Sequence, residues 1–288
     1  MPDINRKELA ARYGWSLALL NSSPELKKLF DKAVKGTWTP EKFVAQLRST
    51  KWFKKNGESA RQAITLKTTD PGTYNERMRQ RMAAVRSMAI EVGAGLSTSQ
   101  LKDVASDSFM LGWDDNQIRR SLGEFVKRTK DGHMSGAAAA ADQEIAAFAE
   151  QMGLKLSTST RHTWSAQIAV GKENLDTVKA HLQDQAASRY PQFANQFKAG
   201  QTLAQIAEPY RQSMAEVLEW SPNNIGMQNR LLQRGLSSRD KDGNPQAMQI
   251  WQFEDELRKD PRWRKTDNAK EKADALARKV LQDWGFQS

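Results

Sequence analysis

The sequence has no cysteine among its 288 residues and only three histidines. Without cysteine it can form no disulfide, thiol nucleophile or cysteine-ligated zinc or iron–sulfur site. His133, His162 and His181 lack the HxxxH or HExxH spacing that places two metal ligands on one helical face. The sequence also lacks the glycine-rich loops that bind phosphates or dinucleotides and the GxSxG turn of serine hydrolases. We therefore expect a protein that is not an enzyme and has no catalytic, cofactor-binding or metal-ligating residues.

Long apolar runs are also missing. No stretch approaches the roughly 20 apolar residues that a membrane-spanning helix needs. The first eight residues carry charges of both signs, and the apolar run Leu17–Leu20 that follows is too short for a signal peptide. We expect no membrane span, no signal peptide and a protein that stays where it is made.

Helical spacing dominates the sequence, whereas β-branched runs are scarce. One example is a series of apolar residues three or four positions apart, which are Met82, Val85, Met88, Ala89 and Val92. A closing pair of helices is predicted from apolar residues as well, with Ile250, Trp251, Phe253 and Leu257 in the first and Leu276, Ala277, Val280, Leu281 and Trp284 in the second. Glycine ends such patterns, and Ser, Thr, Asp or Asn begins the next. The sequence therefore predicts an all-α fold, an array of short helices in repeated helix–Gly–cap–helix units.

An internal duplication has a period of about 60 residues. Residues 92–99 align with 152–159, with the glycine and the whole Leu-Ser-Thr-Ser identical. In the first copy we predict a helix that ends at Gly93 or Gly95, a second from about 98 to 111, and a third that begins at Asp114 or Asp115. The equivalent signals of the second copy are Gly153, Ser157 or Thr158, Gly171 and Asn174.

The helix–Gly–cap–helix unit recurs outside the duplication. Ser23-Pro24 predicts a helix start, Gly36 its end, and Thr39-Pro40 a second start, since proline is favoured at the first helical position. A looser copy covers 193–218, where Pro209 is predicted to kink or divide the helix.

Turn-rich stretches at 66–76, 129–143 and 237–245 divide the sequence. They predict a basic N-terminal helical segment (1–70), a first three-helix repeat (71–132), a second three-helix repeat (133–196) and a C-terminal helical segment (197–288). The alanine run after Gly136 belongs either to a linker or to the following helix. Whether the repeats stack as one solenoid or fold as separate bundles stays open.

The formal charge of +10 is unevenly distributed. Residues 1–70 carry a net charge of +7, residues 71–229 are neutral, and residues 230–288 carry +3. The basic excess therefore belongs mainly to the N-terminal segment. Nucleic acid is one partner that such a charge favours.

The basic and aromatic residues within 42–61 form a candidate nucleic-acid contact. They are Arg48, Lys51, Trp52, Phe53, Lys54, Lys55 and Arg61. Cations neutralise phosphates, and aromatic rings stack on bases. The alternative is that the two rings anchor one helix against the next while the lysines are merely solvated.

Two further features have structural and functional interpretations. The nine tryptophans are spread evenly along the chain, which favours packing at helix junctions over a ligand cage. Residues 240–244 resemble part of a calcium loop, but Gly243 stands fourth where the helix–loop–helix site requires its glycine sixth. A solvated turn is the prediction there.

Several short motifs together carry a family resemblance. They are Tyr13-Gly14-Trp15, Pro24-Glu25-Leu26, Gly36-Thr37-Trp38-Thr39, Thr50-Lys51-Trp52-Phe53, Thr69-Asp70-Pro71, the paired Gly and Leu-Ser turns, Asp260-Pro261-Arg262-Trp263 and Thr266-Asp267-Asn268-Ala269. Nearly the whole chain resembles helical virion proteins of tailed bacteriophages, especially phages of actinobacteria. The resemblance implies a non-enzymatic part of the particle, in or near the tail or packaged with the genome, and it transfers no catalytic residue.

Three functions follow as hypotheses. The first is a structural virion protein, made in the host cytoplasm, that assembles through its helices with other virion proteins or with further copies of itself. The second is a nucleic-acid-binding protein that contacts packaged DNA through 42–61. The third and weakest is a helper that degrades the cell wall, for which we expect no clearing of a suspension of bacterial cell walls.

Overall fold

The computed structural model describes residues 5–129 and 131–284. Within them the chain forms α1 (Arg6–Arg12), α2 (Leu17–Asn21), α3 (Pro24–Lys35), α4 (Pro40–Ser49), α5 (Lys51–Lys55), α6 (Glu58–Thr69), α7 (Pro71–Val92), α8 (Thr98–Leu111), α9 (Asp115–Leu122), α10 (Gly136–Gln151), α11 (Thr158–Ala169), α12 (Leu175–Arg189), α13 (Ala194–Lys198), α14 (Leu203–Ile206), α15 (Glu208–Leu218), α16 (Arg230–Leu236), α17 (Ile250–Arg258) and α18 (Asp267–Asp283). The predicted all-α fold is confirmed. Two-residue strands, β1 (Ser238–Arg239) and β2 (Pro245–Gln246), pair antiparallel.

The helix boundaries of the first predicted repeat follow its glycines and caps. Gly93 and Gly112 adopt left-handed backbone with φ of +85° and +66°, which ends α7 and α8. Ser97 and Asp114 then cap α8 and α9, each in a reciprocal pair with the glutamine three positions later. Those three helices are present as predicted.

The second predicted repeat also contains three helices. Thr158 and Leu175, where α11 and α12 begin, each lie 60 positions after the first residue of α8 and α9 respectively. Gly153 and Gly171 have positive φ like their counterparts in the first repeat. The duplication itself stays a prediction from the sequence.

Two predicted breaks are more helical than the sequence suggested. Asp70 separates α6 from α7 by a single residue, and its side chain accepts a hydrogen bond from the Thr73 backbone N–H at 3.0 Å. Asp70-Pro71 is therefore a helix cap followed by a first-turn proline, which the Asp-Pro-Gly turn signal did not distinguish. The alanine run lies inside α10. The helix predicted to be kinked or divided at Pro209 is divided at Ala207, so that Pro209 is the second residue of α15.

The chain divides into two compact units. The first takes in the chain up to Ala140 together with Ser165–Lys172, and the second takes in Ala141–Trp164 and the chain from Glu173 onward. Two of the boundaries fall inside α10 and α11, and the third falls between α11 and α12. The four-segment division by sequence stays a prediction.

The first unit has two apolar cores. One, called here the N-terminal core, consists of Ala10, Tyr13, Leu20, Leu26, Phe30, Ala33, Phe43 and Leu47. The Tyr13 ring stacks on Phe43 at 4.5 Å between centroids, and its hydroxyl donates to the Trp38 carbonyl at 2.9 Å. The other core joins α7, α8 and α9 through Val85, Val104 and Ile118, among others.

The second unit is built around one larger core. Its buried residues run from Met152 to Leu257 and include Tyr190, Met214, Leu232 and Phe253. The fully buried Tyr190 donates its hydroxyl to Gln233 Oε1 at 2.8 Å. This polar contact satisfies the buried hydroxyl within an apolar environment.

Seven of the nine tryptophans are half-buried, in agreement with the interpretation of junction packing. Trp15, Trp38 and Trp52 pack on the N-terminal core. Trp251 and Trp284 do not fit the interpretation of junction packing, since 63% and 76% of their surface is exposed. Periodicity placed them on helices but carried no information on whether a neighbour covers them.

Candidate functional site

The seven candidate residues within 42–61 lie in the last turn of α4, in α5 and in the first turn of α6. Four of its cations, Arg48, Lys51, Lys54 and Lys55, are exposed. Within residues 5–129 and 131–284, no salt bridge connects any of the four to a carboxylate. They therefore present unneutralised positive charge to solvent.

The short helix α5 is held in place by hydrogen bonds to its N-terminal backbone. Glu25 of α3 accepts from the backbone N–H groups of Lys51 at 3.0 Å and Trp52 at 2.8 Å. The buried Thr50 caps the same end, since its Oγ1 accepts from the Phe53 N–H at 3.1 Å and donates to the Leu47 carbonyl. A five-residue helix has too few internal hydrogen bonds to persist alone, so these contacts fix it.

The aromatic residues of the segment have structural contacts. Trp52 and Phe53 are half-buried and pack on the N-terminal core. The Arg61 guanidinium lies 4.1 Å from the centre of the Phe53 ring and donates to the Asn56 carbonyl at 2.5 Å. Three of the seven candidate residues thus stabilise the junction of α5 and α6, while the other four cations remain available. A nucleic-acid role for the segment stays a prediction.

Glu25→Gln is expected to lower the free energy of unfolding by about 1–2 kcal/mol, because a carboxylate that accepts two backbone hydrogen bonds is replaced by a neutral amide with one acceptor oxygen. Urea denaturation followed by circular dichroism measures this. Glu58→Gln is the matched control. Like Glu25, Glu58 is an acidic residue in the first turn of its own helix, α6, but it does not cap α5. An equal loss in both variants would contradict the capping role.

A surface groove of about 580 Å³ lies beside this segment. It is lined by Trp15, Phe53, Arg61, Leu66 and Arg77, among others. Phe53 and Arg61 are shared between the groove and the α5–α6 junction. The groove combines apolar walls with two guanidinium groups and the Glu58 carboxylate.

Two carboxylates, those of Glu41 in α4 and Asp31 in α3, already have hydrogen-bond partners. Hydrogen bonding with its own backbone N–H and with Thr39 lowers the pKa of Glu41. A hydrogen bond from Arg6 lowers the pKa of Asp31 on α3. Both groups stay ionised at neutral pH and neither is paired with the four exposed cations.

A second candidate surface is α18, which the site prediction from the sequence did not include. Its first turn is anchored in the second unit, because the Glu219 carboxylate accepts from the backbone N–H groups of Asp267 at 2.9 Å and Asn268 at 2.7 Å. Asn268 also donates its side-chain amide to the Glu216 carbonyl at 3.1 Å. Thr266 caps the helix through the Ala269 N–H.

The turn before α18 is stabilised by an ion pair on an aromatic ring. Arg262 donates twice to the Asp260 carboxylate, and these bonds lower the pKa of Asp260 to about 2 despite an opposing effect of burial. The Arg262 guanidinium also lies 4.8 Å from the centre of the Trp220 ring. The start of α18 is therefore fixed in position.

Beyond its first turn, α18 exposes an apolar face. Ala269 is its only buried residue, although it spans 17 residues. The exposed fractions are 64% for Leu276, 40% for Val280, 46% for Leu281 and 76% for Trp284. The sequence marked these positions as the apolar side of a helix, and only the structure distinguishes an uncovered side from a core.

The loop that resembles part of a calcium site is stabilised by hydrogen bonds to Asp240. The Asp240 carboxylate accepts from the backbone N–H groups of Asp242 and Asn244 and from the Asn244 side chain, all within 3.0 Å. The loop is the turn of the β1–β2 hairpin, which the sequence did not predict. In the described part of the chain, no three His, Asp or Glu side chains are grouped as metal ligands.

Comparison with family models, curated proteins and solved structures finds no match to this chain. Across the described helices, none is both long enough and apolar enough to cross a membrane.

Proposed function

We propose that this chain is a non-enzymatic structural component of a tailed-phage virion, tail-associated or internal, that assembles with other proteins through α18. The observation that carries the proposal is the uncovered apolar face of α18, a helix whose first turn is fixed by hydrogen bonds to Glu219. A patch of this kind on a protein surface is typical of an interaction site.

The energetics favour a protein partner for this face. Burying an exposed leucine or valine contributes roughly 1.5–3 kcal/mol per side chain. Three large apolar side chains lie on α18 and Trp284 follows it directly, so covering these four side chains supplies enough free energy to offset part of the cost of association. A partner would also stabilise a solvated helix that has little tertiary support.

The virion is proposed as the location because of the resemblance of the sequence motifs to helical proteins of tailed phages. A structural role agrees with a fold made of short capped helices. The other virion proteins, or further copies of this chain, are the proposed partners.

Mass spectrometry of purified phage particles tests the location, and the protein's absence from them would overturn it.

The role of α18 is tested by supplying tagged variants during infection and measuring their incorporation into particles. Leu276→Lys is expected to lower incorporation by about tenfold or more, because it places a charge in the apolar face. Ala275→Lys is the matched control, since residue 275 lies on the opposite side of the same helix. Equal incorporation of the two variants would contradict the proposal.

Contact with packaged DNA is a second candidate function. The specific observation that favours it is the group of four exposed cations, Arg48, Lys51, Lys54 and Lys55, beside the groove lined by Phe53 and Arg61. A particle protein that faces the genome benefits from such a surface. The two functions are compatible because they use different units of the chain.

A further inference from the structure

We infer that α18 binds α18 of a second copy of this chain, with the two helices antiparallel. The inference rests on the proposed function, assembly through α18, and identifies the partner. It follows from how large and small side chains alternate along the exposed face.

The centre of the apolar face is a series with four-, three- and four-residue spacing: Ala273, Ala277, Val280 and Trp284. At 100° per residue these four positions fall within an arc of about 60°. Leu276 and Leu281 flank that arc, each about 40° beyond one of its edges. Such spacing forms the contact line of a helix pair.

Size complementarity decides the direction of the pair. In an antiparallel pair that places Ala277 opposite Val280 of the second copy, Ala273 lies opposite Trp284. Every layer then combines a small side chain with a larger one, and alanine lets the two helices approach closely. Interiors of this kind reach high packing density.

A parallel pair in register has the opposite property. It places Trp284 against Trp284 and Ala273 against Ala273, so one end is overfilled and the other leaves a void. Both overpacking and cavities cost free energy.

The charges agree with the antiparallel arrangement. Asp283 lies on the Leu276 side of the face, and so does Lys272. Antiparallel pairing brings Asp283 of each copy to within about one helical turn of Lys272 of the other, so two opposite-charge contacts form. Antiparallel helix dipoles add a small favourable contribution.

The size of the contact sets the expected affinity. A 17-residue helix is about 25 Å long, and a single helix pair of that length falls near the lower limit of stable interfaces, about 1,200 Å². We expect a concentration-dependent dimer with a dissociation constant on the order of micromolar.

The absence of cysteine from the chain makes the arrangement directly testable. Three alanines of α18 serve as sites for single-cysteine variants of the full chain: Ala273→Cys, Ala275→Cys and Ala277→Cys. In the antiparallel pair, the two copies of residue 277 are offset by about 4.5 Å along the helix axis and the two copies of residue 273 by about 16 Å. A short thiol cross-linker is therefore expected to join copies of Ala277→Cys and not copies of Ala273→Cys.

Ala275→Cys is the control on the opposite side of the helix and is expected to stay monomeric on a denaturing gel. Equal cross-linking of Ala273→Cys and Ala277→Cys would indicate a parallel pair and overturn the inference. If no variant cross-links and the wild-type chain sediments as a monomer well above micromolar concentration, self-pairing is refuted. The proposed function is then judged separately by whether Leu276→Lys lowers incorporation into particles.

Discussion

Replacing Gly93 with alanine is expected to lower the free energy of unfolding by about 3 kcal/mol or more. Gly93 has φ of +85°, which costs an L-residue roughly 1 kcal/mol. A Cβ atom there would also lie 1.9 Å from the Ser135 carbonyl oxygen and 2.6 Å from its carbon. Because the colliding atoms are backbone, the end of α7 and the start of α10 would have to separate.

Gly171→Ala provides the matched control. Gly171 also has positive φ, +68°, and belongs to the same unit, but no atom lies within 4 Å of its added Cβ. The control variant is expected to lose only about 1 kcal/mol, the cost of the left-handed backbone. Urea denaturation of both variants measures the difference, and equal losses would show that the close approach at Gly93 does not contribute to stability.

Gly93 also shows which part of the fold was predictable. The sequence predicted a helix end at Gly93 or Gly95, because the apolar periodicity stops at Val92 and glycines follow. The approach to Ser135, 42 positions further along the chain, was not predicted. Local patterns predict where a helix ends, whereas contacts between distant backbone segments depend on how the helices pack.

The candidate site shows the same division. The sequence identified the cations and aromatic residues of 42–61, but it could not show that Glu25 from another helix caps α5 or that Arg61 covers the Phe53 ring. These contacts distinguish the structural residues of the segment from the exposed ones. In α18, likewise, the apolar spacing predicted a helix with an apolar side, and the same spacing would occur in a buried helix.

If the exposed cations bind packaged DNA, the triple change Lys51→Glu, Lys54→Glu and Lys55→Glu is expected to lower the affinity for DNA by two or more orders of magnitude. Each lysine that contacts a phosphate releases about 0.9 counterion from double-stranded DNA, so the slope of log affinity against log salt should fall by about 3. The changed side chains are exposed, so the fold should remain intact. A gel-shift titration at several salt concentrations measures both quantities.

A control with the same change in net charge separates a local contact from a general electrostatic effect. Lys155, Lys198 and Lys241 are also exposed and lie in the second unit. Changing these three lysines to glutamate lowers the formal charge by the same six units but leaves residues 48–61 intact. If DNA is bound through that segment, the control should lose much less affinity and retain most of the salt slope, since the slope depends on the number of phosphates that the protein neutralises by contact. Equal losses in both triple variants would mean that only the overall charge attracts DNA, and unchanged binding in the first would remove the segment as a contact.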